Sequence, residues 1–161
     1  MNDMSIKPAP VRRSVQVKLP AARAFEIFTA GMGRWWLPSH KIGKTAFKDV
    51  VVEPRAGGRW FERSEDGAEC DWGKVLVWEP PSRLVLVWQI DANWTYQPSL
   101  VTEVEIRFVE QAGGTRVELE HRDLERYGAE AEAVRAIYDS AGGWTGLLEN
   151  FRKEAEATEA A

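Results

Sequence analysis

The sequence predicts an α+β fold in which a single antiparallel sheet curves around a C-terminal helix. Three observations predict it. Between Phe47 and Leu124 the chain reads as six consecutive strand patterns joined by short turns, which makes them antiparallel neighbours. After them, Ile137, Ala141, Trp144, Leu148, Phe151 and Ala155 recur at alternating steps of four and three, the apolar stripe of a helix. And the chain of 161 residues carries 8 tryptophans, more bulky aromatic surface than a tightly packed aliphatic core would use.

Met1 to Pro10 is rich in proline and polar residues and is expected to be a flexible arm before a single domain spanning residues 11–157, with 158–161 as a tail. Val11, Val15, Val17 and Leu19 alternate with Arg12, Ser14, Gln16 and Lys18, a half-buried first strand. Pro20 opens a short helix at its favoured first-turn position, and Ala24, Phe25, Ile27 and Phe28 give that helix its apolar face before Gly31 and Gly33 end it. Trp35-Trp36-Leu37-Pro38 follows as a second short helical turn or an apolar loop.

The strand patterns then run Val50 to Glu53, Arg59 to Ser64, Glu69 to Trp78, Arg83 to Ile90, Thr102 to Gln111 and Thr115 to Leu124. Asp66-Gly67 is a hairpin signal between the second and third of these, Pro80-Pro81 stops the third, and Gly113-Gly114 turns the fifth into the sixth. Val104, Ile106 and Phe108 oppose Glu103, Glu105 and Arg107, so one face of the sheet is apolar and the other charged. The expected C-terminal helix runs from Ala129 to Ala157, roughly 40 Å at about 1.5 Å per residue. Gly142-Gly143 lies inside it, at a cost of up to about 1 kcal/mol per glycine relative to alanine. Either a close backbone approach repays that cost, or the element is two shorter helices meeting at the glycines.

Composition narrows the function classes. A net charge of −4 argues against a nucleic-acid surface. No apolar run reaches the roughly 20 residues that span a bilayer. Cys70 stands alone, which excludes an internal disulfide and fits a reducing compartment, and with no apolar leader segment near Met1 the expected location is cytoplasmic. Two histidines without neighbouring Cys, Asp or Glu at ligand spacing predict no metal site, and no cofactor motif is present.

Strand alternation nominates the chemistry. With Leu84, Leu86 and Trp88 inward, the matching inward sets are Trp60-Glu62-Ser64, Trp72-Lys74-Leu76 and Val117-Leu119-His121. Glu62, Lys74 and His121 are then ionisable groups on an apolar face, where a charge is costly unless it is paired or contacts a ligand; a one-residue bulge would instead turn such a group out to solvent. If the three converge, Glu62 or His121 is a candidate general base and Lys74 a candidate oxyanion partner. His40, on the loop after Trp36, is a candidate for the mouth of a pocket or a solvated loop histidine.

One ordered set of residues resembles a known family: Trp35-Trp36 after Pro20, Gly57-Gly58-Arg59-Trp60, Gly73 before Pro80-Pro81-Ser82-Arg83-Leu84-Val85 and Trp88, Gly114-Thr115 before Leu119 and His121, and Gly143-Trp144 with Leu147 and Leu148. In that order they are similar to the START-like, or SRPBCC, helix-grip superfamily, and within it to the homologues of the activator of the ninety-kilodalton heat-shock chaperone ATPase. The resemblance covers about Val11 to Ala155 and implies a seven-stranded antiparallel sheet gripping the C-terminal helix, two short helices after the first strand, and a cavity between sheet and helix. It does not imply one activity; the tryptophans and the fold favour binding of a small apolar or aromatic ligand, with a cyclase- or hydrolase-like enzyme or a module that stimulates a chaperone ATPase as alternatives, in a monomer or homodimer. The expected cavity lining is Trp35, Trp36, Trp60, Glu62, Trp72, Trp88, His121, Trp144 and Leu148.

Overall fold

The computed structural model describes residues 8–160. Seven strands form one sheet: β1 (Val11–Val17), β2 (Phe47–Val52), β3 (Arg59–Ser64), β4 (Glu69–Glu79), β5 (Arg83–Trp88), β6 (Thr102–Gln111) and β7 (Gly114–Arg122). Helices α1 (Ala21–Thr29) and α2 (Met32–Trp35) follow β1, a 3-10 turn spans Pro38–His40, and α3 (Ala131–Tyr138) and α4 (Trp144–Ala160) close the chain. The strand order is β1-β7-β6-β5-β4-β3-β2, antiparallel throughout, so the first strand returns to the last and the rest is a meander. This is the expected α+β helix-grip architecture. Residues 1–7 of the expected arm and residue 161 of the expected tail lie outside the described residues; within them, Arg135 donates to the carbonyls of Ala9 and Pro10, and α4 continues to Ala160.

The C-terminal element is two helices, not one. The chain leaves α3 at Tyr138 and re-enters helix at Trp144, and the apolar stripe holds only after the break: Trp144, Leu148, Phe151 and Ala155 are buried, whereas Ile137 is 47% exposed. Gly143 shows why. A Cβ there would lie 2.3 Å from the Tyr138 carbonyl oxygen and 2.5 Å from that of Ile137, so the turn that folds the chain back over the end of α3 has room only for glycine. Ser140 Oγ donates to the Ile137 carbonyl at 2.6 Å and satisfies one of the acceptors that the break exposes. The two helices also divide the packing: α4 lies against β1, α1 and α2, while α3 packs on the short 3-10 segment Leu124–Glu130.

Sheet parity follows the sequence pattern on β3, β5, β6 and β7 but not on β4. Trp60 pairs with Gly73 and Phe61 with Asp71, which leaves Trp72 as an extra residue; Val75 pairs with Leu86 and Val77 with Val85, which leaves Leu76 as another. Each bulge moves the following side chains to the opposite face. Lys74 is therefore exposed on the outer side and Leu76 is 45% exposed, contrary to the alternation, while Trp72 and Val75 are buried. Gly73 stands between the bulges at a close crossing, where a Cβ would fall 1.6 Å from the Val87 carbonyl oxygen. The outer face carries an ionic ladder centred on Glu105, which accepts from Arg83 at 2.7 Å and Arg122 at 2.6 Å and pairs with Arg107 at 2.7 Å.

Inside, the indoles pack on one another. Trp36 lies 4.8 Å from Trp72, 5.7 Å from Trp35, 5.9 Å from Trp144 and 6.4 Å from both Trp60 and Trp88, measured between ring centroids. Each such ring removes about 150–250 Å² from water, on the order of 4–6 kcal/mol of transfer free energy. Tryptophans thus fill much of the interior between sheet and helices, and an open space borders this aromatic cluster.

Candidate functional site

That space is a cleft of about 640 Å³ at the end of the helix layer where α3 gives way to α4. β5 and β7 supply Trp88 and His121; the 3-10 turn and the residues after it supply Ser39, His40, Lys41 and Ile42; the β5–β6 loop supplies Asn93, Trp94 and Thr95; and the helix break supplies Tyr138, Ser140, Gly142, Gly143, Trp144 and Leu147. Of the expected lining, Trp36, Trp88, His121 and Trp144 face the cleft. Trp35, Trp60, Glu62, Trp72 and Leu148 do not; all five are fully buried behind it, because the space they were expected to border is taken by neighbouring indoles.

His121 is 0% exposed, and its hydrogen bonds fix its state. Thr102 Oγ1 donates to the Trp88 carbonyl at 2.8 Å, so its oxygen accepts from His121 Nε2 at 2.9 Å. The proton is then on Nε2, and the Nδ1 lone pair accepts from Trp144 Nε1 at 3.1 Å. Burial pushes this imidazole down to about 3, so it is neutral and both nitrogens are committed. A second relay runs parallel to the first. Tyr127 Oη donates to the Ile90 carbonyl at 2.6 Å, Tyr138 Oη to Tyr127 at 3.1 Å, and Trp88 Nε1 to Tyr138 at 3.0 Å. Burial raises both phenols above their ordinary range, which keeps them protonated. The Tyr138 ring stacks on His121 with centroids 5.1 Å apart and planes at 18°. These polar atoms serve the wall itself, and the cleft meets their ring surfaces.

Glu62 works one step behind the wall. Its Oε1 accepts from the Ile42 amide at 2.7 Å and Trp72 Nε1 at 2.9 Å, and its Oε2 from the Gly43 amide at 2.9 Å. The carboxylate thereby ties the 41–43 loop, which borders the cleft, to the sheet. Glu62, Lys74 and His121 do not converge as a catalytic trio: Lys74 is on the outer face, Glu62 is spent on the loop, and the His121 lone pair is occupied. Cys70, near Glu62, has its thiol raised by burial and by that carboxylate, so it is not an activated nucleophile.

The outer end of the cleft was the less legible part. His40 sits at the mouth, where Nε2 donates to the Gly142 carbonyl at 2.7 Å and joins the loop to the helix break. Trp94, 48% exposed, was missed as a lining residue. It has a left-handed backbone, φ 60°, which a bulky residue rarely adopts. Asp91 holds it there: Oδ1 accepts from the amides of Asn93 at 2.9 Å and Thr95 at 3.0 Å, Oδ2 from Gln97 Nε2 at 3.2 Å, and the Asp91 carbonyl from the Trp94 amide at 3.0 Å. The indole is thereby presented 6.1 Å from the Tyr138 ring. Asp91-x-Asn93, a side-chain turn pattern, is the sequence signal that marks this loop. Tyr138 was missed because the helix break rotates the stripe it adjoins. Among the described residues no cluster of three His, Cys, Asp or Glu could hold a metal ion, and no helix is long and apolar enough to cross a membrane.

A sheet wrapped on a C-terminal helix with a cleft between them defines a START-like, helix-grip protein. The family profile described as activator of Hsp90 ATPase homolog 1-like protein matches residues 18–156, and the chain belongs to that family. Among solved structures it is similar to Txn09, an anthrahydroquino-gamma-pyrone synthase complexed with SUM, at 37% identity over 93% of this chain and 99% of that one, with a TM-score of 0.63. It is also similar to CalC, a self-sacrificing resistance protein from Micromonospora echinospora, at 29% identity over 93% and 96% of the two chains and a TM-score of 0.69. An AHSA1-like protein from Aeromonas hydrophila shares the fold at 21% identity, 93% and 95% coverage and a TM-score of 0.60. No curated protein matches the chain.

Proposed function

We propose that this protein binds a flat, mainly apolar aromatic small molecule in the cleft between the sheet and the α3–α4 break. One observation carries the reading. The cleft of about 640 Å³ is walled by the rings of Trp36, Trp88, Trp94, Tyr138 and Trp144, and the polar atoms of Trp88, Tyr138 and Trp144 are consumed within the wall. Such a lining rewards stacking and shape, and its volume suits a molecule of a few fused rings. Similarity to Txn09, whose name denotes a synthase of a fused-ring compound, supports the same ligand class. Family membership is compatible with either a small ligand or a chaperone partner, and the cleft favours the ligand.

Ring-closing catalysis on such a ligand is a second reading, favoured by the 37% identity to a synthase. The wall argues for binding first, since His121 and Tyr138 are neutral and fully engaged. The test is an acrylamide-quenching titration of intrinsic fluorescence with quercetin and an anthraquinone carboxylate as flat probes and palmitate as a flexible control. Trp94 is the most exposed indole of the cleft, so a flat probe should shield it saturably, and Trp94→Phe should remove most of the quenchable signal. Shielding by palmitate alone, or by none of the three, would overturn the reading. A product of changed structure accumulating beyond one equivalent, seen by chromatography of the recovered probe, would establish the second reading instead.

A further inference from the structure

The walls of the cleft are aromatic, but its mouth is not electrically neutral. Among the described residues lining it there is no Asp or Glu, although the chain has 25 acidic residues against 21 Lys and Arg. Lys41 carries the one permanent charge of the lining. Its ammonium donates to the Gly43 carbonyl at 2.6 Å, which takes one of its three protons, and among the described residues no carboxylate forms an ion pair with it. The ion pairs printed among the described residues belong to arginines, as along the Glu105 ladder, so what distinguishes Lys41 from the other described lysines is its place on the cleft lining.

Carboxylates adjoining the lining are engaged elsewhere: Asp139, between Tyr138 and Ser140, pairs with Arg13 and Arg135. Glu62, behind the 41–43 loop, accepts three N–H donors, two of them amides of that loop. Asp91, beneath Trp94, accepts from two amides and from Gln97. Both loops thus fold around an acid that is used up internally, and neither acid is presented to the cleft. The Glu62 contacts also fix the backbone beside Lys41, which limits where its ammonium can reach.

Resting on the ligand reading above, we infer that the ligand is an anion: a fused aromatic ring system bearing an ionised carboxylate or acidic phenol or enol. Its rings lie against the aromatic wall and its charged oxygen faces outward to Lys41. An oxyanion there replaces water on the two remaining ammonium protons at the wet end of the site, so the charge need not be buried among the indoles. A neutral ring system of the same shape keeps the stacking and loses this contact.

The experiment compares an anthraquinone carboxylate with its uncharged hydroxymethyl analogue, by calorimetry at low salt, on the wild-type chain and on Lys41→Gln and Lys41→Arg. The wild type is expected to prefer the carboxylate by about tenfold, the size of a charge-assisted contact discounted for partial exposure. Lys41→Gln should abolish that preference and leave affinity for the hydroxymethyl compound within about twofold, Lys41→Arg should retain it, and about 0.15 M salt should narrow it. Equal affinity of the wild type for the two probes, or an equal loss of both in Lys41→Gln, would overturn the inference while leaving the aromatic cleft standing. Binding of neither probe would overturn the ligand reading itself.

Discussion

His121→Gln should remove a specific part of the acid sensitivity of folding. In the folded protein this imidazole is buried and held neutral, its protonation pushed down to about 3, whereas in the unfolded chain it returns to 6.5. Between those values the unfolded state binds a proton that the folded state refuses, so stability falls as pH falls below about 6.5. At about 1.36 kcal/mol per unit, the loss from pH 7 to pH 5 is about 2 kcal/mol. That figure is insensitive to the native value so long as it stays below about 4, because the unfolded chain sets the slope in this range. Glutamine can still accept from Trp144 and donate to Thr102, so the relay has a neutral substitute that does not titrate. Urea unfolding of both proteins at the two pH values isolates the effect. The wild type should lose about 2 kcal/mol more than the variant, since His40 and the carboxylates contribute alike to both. Equal losses would refute the neutral, doubly engaged imidazole.

Two further substitutions test the framework around the cleft. Glu62→Gln places an amide among three N–H donors where it can accept with one oxygen only, and should destabilise by about 2–4 kcal/mol in urea unfolding, with faster hydrogen exchange at the Ile42 and Gly43 amides; a change below about 0.5 kcal/mol would show that the loop is held otherwise. Gly73→Ala sets a methyl 1.6 Å from the Val87 oxygen in the middle of the sheet and should cost about 4 kcal/mol or more, seen as a collapse in Tm or in soluble yield; an unchanged Tm would mean that β4 and β5 can part there freely.

Much of this architecture was legible because strand pairing repeats a period of two. Glu62 and His121 were placed on the buried face correctly, since β3 and β7 keep a regular register around them. Lys74 was not, because two extra residues in β4 are paid for by neighbouring strands and leave no mark in a simple alternation; Gly73 between them is the local trace. Six of the eight tryptophans are interior as expected, with Trp78 partly buried and Trp94 exposed, but periodicity assigns faces, not distances. It could not show that Trp35, Trp60 and Trp72 fill the space behind Trp36 and leave the cleft to the loop residues Lys41 and Trp94.

The pause at Gly142-Gly143 separates two tasks that an unbroken helix would have to perform together. α4 carries the residues that seat against β1, α1 and α2, and a change there disturbs the whole grip. α3 brings Ile137 and Tyr138 to the cleft while resting on the segment before it. Its rim position, Ile137, is half exposed and lies outside α4, so a change of bulk there meets solvent and the cleft and not the packed face of α4. On the ligand reading proposed above, the fit of a guest can be changed on this one turn of chain while the sheet and α4 keep their packing.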